Sequence, residues 1–181
     1  MLGLETLKYE DLWASSVKSV NKVYPYDEAK KLVQNSLVVL GSEYADGLKQ
    51  AFNNGWIDVY PNKDKESGAY SDAIYDIHPY VKMNYDGEYS NVSTLAHELG
   101  HAMHSYLTNR NQPYSNSNYT TFLAEIASTF NENLLMDYLL KNETDDNLKL
   151  FIIDQFLERA RQTIYRQALF AEFELAMHQK V

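Results

Sequence analysis

No cysteine occurs in the 181 residues of the chain. Disulfide frameworks, thiolate nucleophiles and cysteine-ligated zinc are therefore excluded together, and the absence fits a reducing compartment. Glycine and proline are scarce, at seven and four, which excludes collagen-like and linker-rich chains. Basic residues are outnumbered by acidic ones, 16 to 25, for a net charge of −9. Such a surface repels phosphate backbones, so no nucleic-acid partner is expected. No run reaches the roughly 18 apolar residues of a membrane-spanning helix. The opening MLGLETLKYEDLW carries acids where a secretory leader has a basic patch and an apolar run. A cytoplasmic protein with no membrane partner is the expectation. What the chain does have is 45% hydrophobic residues and the length of one ordinary domain, enough to bury a core. It also has 15 tyrosines, read first as half-buried packing positions and second as the lining of a polypeptide cleft.

Apolar spacing assigns the two ends of the chain to helices and the middle to strands. In YDEAKKLVQNSLVVL, Ala29, Leu32, Val33, Leu37 and Leu40 recur at helical intervals, with Asp27 as N-cap. Gly41 should stop or bend this helix. SEYADGLKQAFNN then resumes with Tyr44, Leu48 and Phe52 on one stripe until Gly55. WIDVY, AYSDAIY and PYVKMNY read as strands, the last alternating Val81, Met83 and Tyr85 with Lys82 and Asn84. From NVSTLAHELGHAMHSYLTN, capped by Ser90 or Asn91, the pattern turns helical. A polar loop, RNQPYSNSNY, comes next, then the helix TTFLAEIASTFNENLLMDYLLKN. A long last helix starts at a Thr144 cap, carries Ile152, Ile153, Phe156, Ala160, Ile164 and Ala168 on one stripe, and has no stop signal. The expected class is mainly α (α+β): long helices with a small sheet of about three strands ahead of the histidine-bearing helix. The chain divides into scaffold helices (1–55), the sheet (56–90), and site helices with the long C-terminal helix (91–181).

Three of the five histidines, His97, His101 and His104, fall in one short stretch beside Glu98. Residues four apart share a helix face, so His97 and His101 can both aim a ring nitrogen at one ion, as zinc requires at about 2.0–2.1 Å. Glu98, displaced around the helix, can reach a water at the metal without ligating it. This is the HExxH arrangement of zinc peptidases. A catalytic zinc takes three protein ligands and keeps an open position. His104 lies one turn further along and would strain the geometry, so it reads as a pocket residue or as packing beside the site. The acidic candidates for the third ligand are Glu125, Glu132, Asp137 and Glu143. Glu125 leads, because a carboxylate among Leu123, Ala124, Ile126 and Ala127 needs a partner. Glu132, two turns on, is placed to hydrogen-bond a ligating histidine and fix its tautomer. Gly100 costs the helix about 1 kcal/mol relative to alanine, which points to a close approach by another helix or by the metal cluster.

LAHELGHAMHSY followed by FLAEIASTFNENLL closely resembles oligoendopeptidase F, in the thimet-oligopeptidase-like family of zinc metallopeptidases. WIDVYPNKDKESGAYS and HPYVKMNY resemble the segment that family carries ahead of its zinc helix, and the likeness runs from about Tyr26 onward. The resemblance implies a gluzincin-type core with one zinc ion held by His97, His101 and Glu125. It implies Glu98 as general base and cleavage of internal bonds in short oligopeptides. It further implies that Ser67–Ser71, with Gly68, Ala69 and Tyr70 as substrate contacts, is a strand beside the cleft that pairs with a peptide backbone. Members of the family are several hundred residues long. They add an N-terminal helical roof and, after the long helix, a segment of histidine and tyrosines that contact substrate. The 181 residues contain neither, so the chain reads as a partial catalytic domain. Weak turnover on its own and self-association through the uncovered C-terminal helix are the matching expectations. The rival reading is an inactive metal- or peptide-binding piece.

Overall fold

The computed structural model describes residues 6, 8, 11, 17 and 20–180, so most of the scaffold stretch before residue 20 lies outside the described residues. The chain divides into two compact units, Lys22–Asn142, and Met1–Asn21 with Glu143–Val181.

The first of these holds four helices and a sheet. α1 (Tyr26–Leu37) buries Ala29, Val33 and Leu37. Its N-cap is Pro25, not Asp27. Proline's fixed φ, here −54°, sets the entry into the first turn, and Asp27 instead pairs with Lys30 at 2.6 Å. A 3₁₀ turn, Val38–Leu40, ends at Gly41, whose φ of 94° only glycine adopts freely. α2 (Ser42–Asn53) comes next and buries Leu48 and Ala51.

β1 (Ile57–Asp58), β2 (Tyr70–Asp72) and β3 (Tyr80–Lys82) form a sheet of order β1-β3-β2. β3 runs parallel to β1 and antiparallel to β2. The strands are shorter than their sequence patterns, but the ladder continues beyond them, with Met83 N donating to Asp58 O and Tyr85 N to Val59 O. Val81, Met83 and Tyr85 are buried while Lys82 and Asn84 are not, the period-2 pattern of a half-covered strand.

α3 (Tyr89–Asn111) and α4 (Thr121–Asn142) cross at the centre of this unit. The N-cap of α3 is Glu88 rather than Ser90 or Asn91. The Asn91 side chain accepts from Asp86 N at 2.6 Å, bracing the preceding turn. α3 buries Val92, Leu95, Ala96, Leu99, Ala102 and Met103, an unbroken apolar face. α4 is different. Leu135 and Leu139 are buried toward its C-terminal end, but Ser128, Asn131 and Glu132 are buried in its middle. Each of these three is hydrogen-bonded, as burial demands. Asn131 donates to Ala96 O at 3.1 Å and to the Tyr44 hydroxyl at 2.8 Å. Burial pushes the Tyr44 phenol up to about 12, so the link stays neutral across the working pH range.

In the other unit, α5 (Asp146–Ala160), a π-helical turn (Arg161–Tyr165) and α6 (Arg166–His178) make one continuous run. Asp145 caps it, accepting from Asn147 N at 2.9 Å, in place of Thr144. The extra residue per turn in the π segment rotates the face of α6 relative to that of α5. The expected stripe is only partly covered: Ile152 is buried, while Ile153 and Phe156 on α5 and Ile164 in the π turn are exposed. Among the described residues no helix is long and apolar enough to cross a membrane.

The crossing of α3 and α4 depends on Gly100. A Cβ there would lie 2.6 Å from Ser128 Cα and 2.8 Å from Ala127 O, both backbone atoms that cannot swing aside. Of the two reasons for this glycine, another helix is the one observed. Gly100→Ala should force the helices apart and cost about 1–3 kcal/mol, the usual range for overpacking. Urea unfolding followed by circular dichroism measures that loss.

Candidate active site

His97 and His101 lie one turn apart on α3, and α4 brings Glu125 against both. His97 Nε2 is 3.1 Å from His101 Nε2. Glu125 Oε2 is 3.5 Å from the first and 3.7 Å from the second. Three atoms bound tetrahedrally at about 2.0–2.1 Å from one zinc ion are about 3.3–3.4 Å apart, so the triangle has the size a single ion fills. Among the described residues these three form the group with metal-holding geometry. His104 is not in it. Its ring stacks on Tyr119, with centroids 4.1 Å apart, and its Nδ1 is buried without a hydrogen bond. Burial holds its pKa below the ordinary histidine value.

Glu125 does not sit in a buried apolar run, contrary to the expectation from its sequence neighbours. Leu123 and Ile126 are 48% and 53% exposed. The helix crossing at Gly100 and Ser128 brings it to the histidines instead. Ser128 Oγ donates to Glu125 Oε2 at 2.8 Å and fixes the carboxylate.

Glu132 is 7% exposed and uses both oxygens. Oε1 accepts from His97 Nδ1 at 2.6 Å, and Oε2 accepts from Ser93 Oγ at 2.9 Å. With the proton on Nδ1, the His97 Nε2 lone pair faces Glu125 and His101. His101 Nε2 lies toward the same point, 3.1 Å from His97 Nε2. At this distance one ring nitrogen can donate to the other, or both can offer lone pairs to one shared cation. Sequence reasoning misses Ser93 and Ser128. Only their spacing relates them to the site, Ser93 one turn before His97 and Ser128 three residues after Glu125, and such spacing is ordinary for a helical serine.

Glu98 is 6% exposed, and its Oε2 is buried with no hydrogen-bond partner. Burial raises its pKa. The His97 charge opposes that rise, and Glu125 and Glu132 reinforce it. For His97, burial pulls the pKa down, but the Glu132 hydrogen bond and charge, with Glu98 and Glu125, carry it above the ordinary value. For His101, burial and the neighbouring His97 lower it. Three carboxylates around two imidazoles make a strongly negative site, suited to a divalent cation.

A cleft of about 530 Å³ opens beside His101, walled by residues 71–75, by one face of α3 and by the loop between α3 and α4. β2 is an edge strand on that side. Gly68, Ala69 and Tyr70 do not line the cleft. Gly68 and Ala69 lead into β2 and Tyr70 opens it, with Gly68 at φ 82° and held by Asn84 Nδ2, which donates to Gly68 O at 2.9 Å.

The family model described as peptidase family M3 matches residues 11–181. The chain belongs to peptidase family M3. Family M3 is a family of metallopeptidases, which accords with the His97, His101 and Glu125 cluster. The chain is 45% identical over 180 residues to oligopeptidase PepF of Bacillus subtilis, covering 99% of this chain and 27% of that protein. It is 43% identical to group B oligopeptidase PepB of Streptococcus agalactiae, covering 98% of this chain and 30% of that one. A crystal structure of a Chlamydophila abortus protein, assigned as a peptidase, superposes with a TM-score of 0.84 at 45% identity, covering 97% of this chain and 29% of that one. The M3 chain thus spans under a third of the length of these relatives.

Two outcomes are expected at this site. Glu132→Ala should weaken divalent-metal affinity roughly 10–100-fold, because His97 loses the partner that fixes its tautomer; chelator competition measures it. Affinity should also rise as pH rises through the elevated His97 pKa, since a proton on Nε2 competes with the ion. Competition titrations between about pH 5.5 and 8 check this, and an affinity independent of pH across that range would contradict it.

Proposed function

We propose that this M3 chain carries the zinc-binding and proton-transfer core of an endopeptidase acting on short oligopeptides. The observation that supports it most is the His97–His101–Glu125 triangle with a buried, unpartnered Glu98 oxygen beside it. His97, His101 and Glu125 would hold one zinc ion. When bound there, zinc supplies Lewis-acid polarisation of the scissile carbonyl and acidifies water.

The remaining steps belong to the chain's own side chains. Glu98 takes the proton of the attacking water and passes it to the departing amine. Its raised pKa brings it nearer to neutrality and suits both halves of that transfer. Glu132 keeps the His97 proton on Nδ1, and Ser128 holds Glu125 in its position. The edge of β2 offers backbone groups to an extended peptide, a mode tolerant of sequence, with Ser71–Tyr75 rather than Gly68–Tyr70 against the cleft.

The test is cleavage of an internally quenched peptide of about ten residues by the zinc-loaded chain and by Glu98→Gln, with zinc content measured in both. Chelator-sensitive cleavage by the wild type is expected. In Glu98→Gln, cleavage should fall by about 10²–10⁴-fold, the usual contribution of a general base, with one zinc retained. Equal cleavage by the two proteins, or cleavage that survives removal of zinc, contradicts the reading. Zinc retention without turnover in either would leave a metal-binding piece.

A further inference from the structure

The cleft beside His101 has a composition that says more than its volume. Along α3, His101, Ser105 and Asn109 recur every four residues and form its floor. Three tyrosines stand around it: Tyr75 on the strand side, and Tyr114 and Tyr119 on the loop. Among the described lining residues no lysine or arginine occurs, and Asp72 is the one carboxylate.

All three rings are held in place. Tyr75 and Tyr114 meet edge to face, with centroids 5.4 Å apart and planes at 78°. The Tyr75 hydroxyl donates to Gln112 O at 2.9 Å. This pair fastens the strand-side wall to the loop. Tyr119 is clasped from the other side, stacked on His104 and hydrogen-bonded through its hydroxyl to Ser105. Tyr114 is 74% exposed, so its ring covers no core. It stands at the mouth of the cleft, ordered by its edge contact with Tyr75.

We infer that this chamber is a specificity subsite that takes an aromatic side chain of a bound peptide next to the metal-holding cluster and rejects an acidic one. The inference rests on the peptide-hydrolase reading. Fixed rings around the chamber offer edge and face contacts to a further ring at little entropic cost. The Asn109 side-chain oxygen, whose amide nitrogen donates to Ile74 O at 3.5 Å, can accept from the hydroxyl of a bound tyrosine. A glutamate entering the same space would lose water, and the wall offers it no lysine or arginine and sets Asp72 against it; the charge of the ion itself is already met by Glu125, with Glu98 and Glu132 close by.

The test is fluorescence-anisotropy binding of labelled alanine-rich peptides of about nine residues, identical except for a central Tyr, Phe, Gln, Lys or Glu. They are offered to zinc-loaded protein carrying Glu98→Gln, so that nothing is cleaved. The Tyr peptide should bind at least about tenfold tighter than the Glu peptide, a difference of about 1.4 kcal/mol. In Tyr114→Ala and Tyr75→Ala the ratio should fall below about threefold, since each removes a ring of the wall, with zinc content unchanged. Tyr75→Phe keeps the ring and should keep the preference. It decides the matter alongside Tyr114→Ala should Tyr75→Ala fail to fold. Equal binding of the Tyr and Glu peptides, tightest binding of the Lys peptide, or a ratio unmoved in Tyr114→Ala overturns the subsite while leaving peptide binding intact. If no peptide binds to a chain that holds its zinc, the peptide-hydrolase reading falls, and the subsite with it.

Discussion

Everything at the site depends on two backbones touching. Gly100 admits Ala127 and Ser128 to within a distance no side chain would permit, and that contact fixes how far α4 stands from α3. Glu125, three residues before Ser128, then reaches His97 and His101 across the gap. Glu132, four residues after Ser128, reaches the far nitrogen of His97. A separation larger by the thickness of a methyl group would lift both carboxylates off the histidines together. The glycine weakens α3 as a helix, and the crossing it allows is what that loss of local stability supports.

The face of α4 that meets α3 makes the same trade. Its C-terminal end packs with leucines, while its middle buries Ser128, Asn131 and Glu132 where an apolar stripe would be more stable. Each of the three is satisfied by a bond to α2, to α3 or within α4 itself, and those bonds set the side chains around the ion position. Charge adds to the strain, with Glu98, Glu125 and Glu132 converging on two imidazoles. A site of this kind violates the rules of a good core in one place, and a bound dication relieves the violation.

Much of this is legible in the residue pattern. The mainly helical class, the three strands and their alternation at Val81, Met83 and Tyr85 come from periodicity, which reports burial directly. The i, i+4 histidine pair is a local feature, so its helix face can be read without knowing the fold. Features set by neighbours do not show. The helix caps fall on Pro25, Glu88 and Asp145 rather than on Asp27, Ser90 or Asn91, and Thr144, because phase within the first turn is settled by the incoming chain. The apolar neighbours of Glu125 point to it in the sequence, but Leu123 and Ile126 face outward, and the helix crossing is what brings it to the histidines. Ser93 and Ser128 carry no signal of their own, since a serine in a helix is ordinary until a carboxylate is seen opposite it. The cleft wall begins at Ser71, directly after Gly68–Tyr70, and where along β2 it begins is set by α3, which packs against that strand and supplies the opposite wall.

The central claim is that one zinc ion sits where two ring nitrogens of α3 and one carboxylate of α4 converge. Diffraction from the zinc-loaded 181-residue chain, recorded on both sides of the zinc absorption edge, tests it most directly. The account predicts a single anomalous peak within about 2.0–2.2 Å of His97 Nε2, His101 Nε2 and a Glu125 oxygen, with Glu132 still bonded to His97 Nδ1. A peak elsewhere on the chain, or one at the histidines with Glu125 turned away to solvent, would contradict it.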